Sequence, residues 1–305
     1  MKTFRFDFMR WRYLATGLSA TLVLLSVLGL AIRGLELGIE FTGGALFDVH
    51  FPQPVAPDQV RAALASKGLT SALVQGAGSE QDVVIRMPTT GYANMGELTE
   101  RLVDGLNDVH ADASIVNSEV IGPALGEELR DSAGLGALAS FAVVGIYIMF
   151  RFAGKFAIGA TVALIHDVVI TLGAFIALGL TFDMPAFAAI LAIIGYSLND
   201  TIVVYDRVRE NLRGMRTASV TEAINRSLNQ TLGRTVAMSA TTLFTVLALL
   251  LLGGEALRSF AAAMTVGVVV GTFSSIYVAS SLLLTMRFDR RSLLPAELEP
   301  GAERP

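Results

Sequence analysis

Six stretches of about twenty predominantly apolar residues run through the chain, and they restrict its possible folds more than any other feature. They cover residues 13–32, 132–150, 156–180, 185–204, 232–252 and 257–286. A helix that crosses the hydrocarbon needs about 20 such residues. Inside lipid, each backbone polar group must be satisfied within its own segment, so helices are the simplest solution. Composition agrees: 53% of the 305 residues are hydrophobic and 16% are charged, against roughly 25% charged in a soluble domain. A soluble single domain and a disordered chain are excluded. The net charge of −4 supplies no basic field for nucleic acid. The absence of cysteine excludes disulfide frameworks and thiolate chemistry. The three histidines, His50, His110 and His166, lie far apart in sequence and suggest no metal cluster.

Basic residues set the expected orientation. Lys2, Arg5, Arg10 and Arg12 precede the first segment, which is too long for a signal-peptide core and reads as an uncleaved anchor. Arg151 and Lys155 lie between the second and third segments. Arg207, Arg209, Arg213, Arg216 and Arg226 lie between the fourth and fifth, and Arg287, Arg290 and Arg291 follow the last. Residues 33–131 instead carry fifteen acidic against six basic residues. Six crossings with both termini cytoplasmic satisfy every connection. The expected organisation is a cytoplasmic arm over 1–12, a first helix over 13–32 and an extracytoplasmic domain over 33–131. Helices two to six follow over 132–286, with a cytoplasmic loop at 205–231 and a cytoplasmic tail over 287–305. Within that loop, residues 220–228 read as a short amphipathic helix lying on the membrane face.

The external insert predicts strands at 45–51, 71–74, 82–87 and 114–120, with helices at 57–67 and 94–109. Pro57 and Asp58 suit the first helix's start, and Gly68 suits its end. The order βαββαβ is the ferredoxin-like pattern. The fold class is therefore a mainly α integral membrane protein with a small α+β ferredoxin-like domain between helices one and two. No nucleophile–base pair, phosphate loop or ligand spacing occurs in the insert, which reads as a docking domain rather than an enzyme. No catalytic residue is assigned.

Ionisable residues inside membrane segments are costly and point to function. Asp200 lies in the fourth segment with Asn199 and Thr201. Tyr196 shares its face four residues earlier, and Gly195 and Ser197 thin the helix for close packing. Arg234 lies near the start of the fifth segment. The two segments run in opposite directions, so Asp200 and Arg234 are expected at similar depth as a buried pair. Thr231, Thr235, Met238, Thr242 and Thr245 form a mainly hydroxyl stripe on the fifth segment, read either as a polar seam or as back-bonding within the helix. Asp167 sits mid-segment beside His166. Adjacent helix residues point about 100° apart, so these two are not expected to act as one site. Asp167 is a candidate polar contact or proton-path residue.

Residues 38–44 (GIEFTGG) and 119–128 (EVIGPALGEE) resemble the sequences that open and close the external domain of the SecD/SecF family. The stretch 194–211 (IGYSLNDTIVVYDRVREN) resembles the SecF form of that family's fourth-segment motif, and 164–171 (LIHDVVIT) fits it too. The signature positions are Gly38, Phe41, Gly43, Gly44, Gly195, Tyr196 and Ser197; Glu40 stands where Asp is common. The resemblance implies half of a transporter of the resistance–nodulation–division superfamily in the bacterial inner membrane. It implies SecD, the SecYEG channel, SecA and exported precursor proteins as partners. It implies proton-motive force as the energy source, protons as the coupling ion, no other cofactor, and Asp200 and Arg234 as the intramembrane pair. Other classes remain open: a scaffold subunit without proton conduction, and a stand-alone solute or lipid exporter, against which the single six-helix unit speaks.

Overall fold

The computed structural model describes residues 6–89, 95–152, 154–215 and 218–286. The expected tail at 287–305 lies outside the described residues, as do residues 1–5 of the arm and Asn94 of the second domain helix.

Helix α1 (Arg12–Ile32) follows a 3-10 turn at Phe8–Trp11. Strand β1 (Glu36–Leu37) and the one-turn helix α2 (Ile39–Thr42) lead into a sheet domain. Its elements are β2 (Gly44–His50), α3 (Pro57–Ser66), β3 (Leu73–Gly76), β4 (Asp82–Met87), α4 (Met95–Val109) and β5 (Ser114–Ile121). The antiparallel sheet runs β3-β4-β2-β5, the ferredoxin-like order. Alternate residues of β2 point inward, where Phe47 and Val49 meet Val83 and Ile85 of β4. Leu98, Leu102 and Leu106 of α4, at helical spacing, close that core with Val60 and Leu64 of α3.

The helical bundle comprises α1, α5 (Pro123–Arg151), α6 (Lys155–Leu178), α7 (Met184–Gly214), α8 (Val220–Leu252) and a final broken helix. A two-residue strand, β6 (Thr181–Phe182), sits between α6 and α7. All six spans are long and apolar enough to cross a membrane. The final span consists of α9 (Arg258–Phe273), a π-helical segment (Ser274–Ala279) and α10 (Ser280–Thr285). The Tyr205 hydroxyl donates to the Ala279 carbonyl at 2.9 Å, satisfying backbone polarity inside that irregular turn. Gly159 makes room: a Cβ there would stand 2.3 Å from the Tyr205 oxygen.

One feature differs from the sequence expectation, and a second has no counterpart in it. Residues 220–228 are not a separate surface helix; they are the first turns of α8, capped by Ser219, whose side chain accepts from Glu222 N. Helix α7 likewise runs ten residues past 204, and the two extensions pack together. Asn211 donates to Ser227 at 2.7 Å and to Gln230 at 2.8 Å, and Arg207 donates to Gln230 at 2.7 Å. Ser227 of this stretch thus meets a neighbouring helix, and Asn225 meets the segment before α1, where its Oδ1 accepts from Met9 N at 3.0 Å. The chain before α1 joins in: Asn229 and Phe6 exchange two 2.8 Å hydrogen bonds.

The second feature is how the sheet domain is seated on the bundle. Strand β1 pairs in parallel with β6, and Gly38 N–H donates to Phe182 O at 2.9 Å. Gly43 takes a left-handed φ of 70°, and a Cβ there would meet Pro123 Cα at 2.8 Å. A Cβ on Gly44 would meet Met87 O at 2.8 Å, and one on Gly126 would meet Gly43 N at 2.6 Å. The signature glycines let α2 lie directly on the first turn of α5. Phe41, buried here, stacks on Phe182 at 6.0 Å.

Candidate functional site

The polar residues of the bundle fall on the inner faces of α6, α7, α8 and the last helix. Helix α7 starts with Asp183 as N-cap, accepting from Ala186 N at 2.9 Å, and Pro185 lies in its first turn. Fifteen residues beyond Pro185, Asp200 is 1% exposed. Its Oδ2 has no hydrogen-bond partner, and neither does Thr201 Oγ1, Thr235 Oγ1 or the Tyr196 hydroxyl. Buried polar atoms are nearly always paired, so several orphans among neighbours on α7 and α8 single this cluster out as a candidate site. Asn199 is half-buried beside Asp200.

The buried ion pair expected between Asp200 and Arg234 is not formed. Arg234 is exposed, and no contact between the two falls within 4.0 Å. The rotation of α8 explains this. Thr231, Thr235 and Ser239, spaced by four, take the inner face, which turns Arg234 outward. Ser239, on that same inner face, is buried. Ser239 also shares a 2.7 Å hydrogen bond with Thr272 of α9. The hydroxyl stripe is partial. Thr231 is buried and bonds back to Ser227 O at 3.0 Å, whereas Thr245 is exposed and bonds back to Thr241 O.

Gly195 does not serve close packing. It is exposed, with nothing within 4 Å of an added Cβ. The close approach to α7 is made by α9, where a Cβ on Gly267 would meet Ile193 at 2.3 Å and one on Gly271 would meet Ser197 at 3.2 Å.

Asp167 and His166 overturn the expectation that they stand apart. The imidazole folds back along α6, so His166 Nδ1 lies 2.9 Å from Asp167 Oδ1. Asp167 is fully buried, and its Oδ2 accepts from the Ser197 hydroxyl and, at 2.8 Å, from the Ser274 hydroxyl. His166 Nε2 lies 2.5 Å from Ser19 Oγ of α1. Ser19, Ser197 and Ser274 thus join a polar chain across four elements. Ser19 and Ser274 carry no signal of their own in the sequence, and Ser197 reads there only as a small packing residue; the buried carboxylate, read together with the fold, gives them meaning.

Outside the apolar spans, Glu40 is held near Asp183 and Glu119. Burial lifts its carboxyl above the ordinary value, a hydrogen bond to backbone opposes the rise, the two acids add to it, and Arg86 opposes it. Arg86 donates to Thr181 at 2.9 Å and to Gln75 at 2.7 Å, tying the sheet to β6. His50 pairs with Asp82 at 2.6 Å; bonds from Ser79 and then His50 hold the Asp82 carboxyl below its usual value.

Comparison with known proteins adds the following. The family described as protein export membrane protein SecD/SecF, C-terminal, matches residues 102–289, and that described as SecD/SecF GG motif matches 28–55. The protein translocase subunit SecF of Pseudomonas aeruginosa is 40% identical over 293 residues, covering 95% of this chain and 94% of its own length. The SecF of Escherichia coli O157:H7 is 38% identical over 303 residues, covering 98% and 94%. The crystal structure of SecDF from Thermus thermophilus, a translocon-associated membrane protein, superposes with a TM-score of 0.84 at 38% identity, over 93% of this chain and 39% of that one. SecDF in its super-membrane-facing form gives 0.69 over 94% and 39%. The chain therefore spans about two fifths of the solved SecDF chains but nearly the whole of its SecF relatives.

Proposed function

Because the chain belongs to the SecD/SecF family of protein export membrane proteins, we propose that it works as the SecF-type half of a proton-driven translocase. It pairs with SecD in the bacterial inner membrane, beside SecYEG. There it draws on the proton-motive force to complete export after SecA has driven the precursor into the channel. Both termini are cytoplasmic, and the sheet domain stands on the far side. Protons are the coupling ion: Asp200 takes them up, Arg234 is its charge partner, and Asn199 and Thr201 are the polar groups beside it.

The observation that carries this reading is the buried Asp200 carboxylate with an unpartnered oxygen, facing α8 while Arg234 stands off it. A charge in that setting is costly unless it is paired or neutralised. Two states of similar free energy follow. In one, Asp200 is protonated and Arg234 is released. In the other, Asp200 is ionised and Arg234 has swung inward to pair with it. One charge moved through 100 mV yields about 2.3 kcal/mol, enough to bias such a switch. The sheet domain, seated on α5 and on β6 just before α7, moves with the helix ends to which it is attached.

The released Arg234 also suits a second reading, a scaffold that needs no proton movement. Inverted vesicles containing the chain with SecD, SecYEG and SecA separate the two. Asp200→Asn and Arg234→Met are each expected to assemble and to lose the gradient-dependent part of precursor translocation. Full retention in both would leave the scaffold.

A further inference from the structure

The chain Ser19–His166–Asp167–Ser197/Ser274 is a buried polar assembly in the bundle separate from the Asp200 site. The groups that face the pair from other elements are all hydroxyls: Ser19 from α1, Ser197 from α7 and Ser274 from the π-helical segment. The other titratable groups within the spans packed on α6 are Tyr13 on α1, Tyr147 on α5, Tyr196, Asp200 and Tyr205 on α7, and Tyr277 on the last helix. The remaining charged residues of α1, α5, α7 and α9 lie toward the helix ends. No cation neutralises Asp167 among the described residues; His166 is its one titratable partner.

Hydrogen-bond bookkeeping fixes what the pair can do. With Asp167 ionised and His166 neutral, Nδ1–H donates to Oδ1, so Nε2 accepts from the Ser19 hydroxyl. A proton arriving at Nε2 makes the imidazolium, and Ser19 turns to accept. Passing the Nδ1 proton to Oδ1 leaves a neutral carboxylic acid that donates to Nδ1, with the new proton on Nε2 donating to Ser19. One proton is gained and no hydrogen bond is lost. Two bonds reverse direction, while Ser197 and Ser274 keep their acceptor. A buried carboxylate held by neutral donors, with an imidazole as its outlet, stores a proton without moving heavy atoms.

A groove of about 310 Å³ between α1, α6 and the end of the last span has His166 in its wall; Val23, Val162, Ile165 and Leu282 make its lining mainly apolar, and Thr16, Ser19, Ser281 and Thr285 carry its hydroxyl groups. Ser281 Oγ is buried there without a partner. At the other end, Ser197 precedes Asp200 by three residues, about 4.5 Å along the α7 axis.

We propose that His166 and Asp167 form a second proton-holding site, loaded through His166 Nε2 and Ser19 from this groove and working in series with Asp200. The inference rests on the proton-driven reading above and adds a store on α6 that ties α1 to the coupling machinery.

The test follows gradient-stimulated precursor translocation against pH in the same vesicles. It compares wild type, Asp167→Asn, His166→Gln, Ser19→Ala and Asp200→Asn, with assembly scored by co-purification with SecD. Asp167→Asn still accepts from Ser197 and Ser274 but holds no proton; it and His166→Gln are expected to assemble and to lose the gradient-dependent component. Ser19→Ala is expected to shift the pH profile while leaving ATP-driven translocation intact. If the α6 variants keep full stimulation with an unchanged pH profile while Asp200→Asn loses it, the second site is overturned and the first stands. If Asp200→Asn keeps it too, the proton-driven reading itself falls. Should Asp167→Asn fail to assemble, Ser19→Ala decides, because it leaves every partner of Asp167 in place: an unchanged profile refutes the proposal.

Discussion

Gly126→Ala separates local propensity from packing at the seat of the sheet domain. Gly126 lies in the first turn of α5, a 29-residue helix. By propensity alone, alanine should stabilise that helix by about 1 kcal/mol. The structure reverses the sign. The new methyl would stand 2.6 Å from Gly43 N, 3.2 Å from Gly43 Cα and 3.3 Å from Thr42 C. All three are backbone atoms of a segment pinned by the β1–β6 pairing, so no side chain can swing aside. Overpacking of this kind costs about 1–3 kcal/mol, and a backbone clash falls in the upper half of that range. The net expectation is a loss of about 1–2 kcal/mol once the propensity gain of about 1 kcal/mol is subtracted. Gly134 and Gly136 on the same helix have nothing within 4 Å, so Gly134→Ala and Gly136→Ala should each stabilise. Thermal midpoints of the detergent-purified chain, with hydrogen exchange at β2 and α2, give the comparison. A Gly126→Ala midpoint at or above those of the two controls, with unchanged exchange at α2, would refute the account of the seat.

Three further outcomes are expected. Burial and the two neighbouring acids favour protonated Glu40 in the folded seat, so its contribution is full below its unfolded value of 4.5 and is lost as pH rises through the higher folded value; Glu40→Gln should raise the midpoint at neutral pH and flatten its pH dependence. Asp82 shifts the other way: its stabilisation is present above 3.8 and lost as pH falls through the lower folded value. Asp82→Asn should therefore remove an acid-side loss of sheet protection, seen in exchange at β4 below about pH 4. Asn211→Ala leaves Ser227 and Gln230 without their shared donor, at a cost of about 1–3 kcal/mol, and limited proteolysis between α7 and α8 should quicken.

Much of the architecture was written plainly in the sequence, because long apolar runs and period-two strands are local signals. The strand at Asp82–Met87 has the predicted bounds, and the ferredoxin-like order emerged from turn residues and spacing. What was not legible depends on rotation about helix axes and on partners distant in sequence. Polar residues after 204 end the apolar run there. The helix continues because Asn211 and Arg207 find Ser227 and Gln230 on α8. Depth alone places Arg234 inward; the four-residue spacing of Thr231, Thr235 and Ser239 is the signal that it faces out. The 100° rule separates His166 from Asp167, but it describes Cβ directions and not the reach of an imidazole. Gly43 and Gly44 stood out as a signature, but the bodies they admit, Pro123 and Met87, are known only from the fold.

The π-helical segment at Ser274–Ala279 has a further geometric effect. A π turn holds about one residue more than an α turn, so everything beyond it is rotated by about 100° relative to an unbroken helix. That phase slip lets a single strand of chain serve two masters: Ser274 points at Asp167 on one side of the bundle, while Ser281 and Thr285, a few residues later, line the groove beside α1. Winding the same residues as an unbroken α-helix would turn the end of the final span by about 100°, whereas removing one residue between 274 and 279 along with the π turn would leave that end at its present bearing. The irregular turn acts as a gear tooth whose position sets which neighbours the end of the span meets.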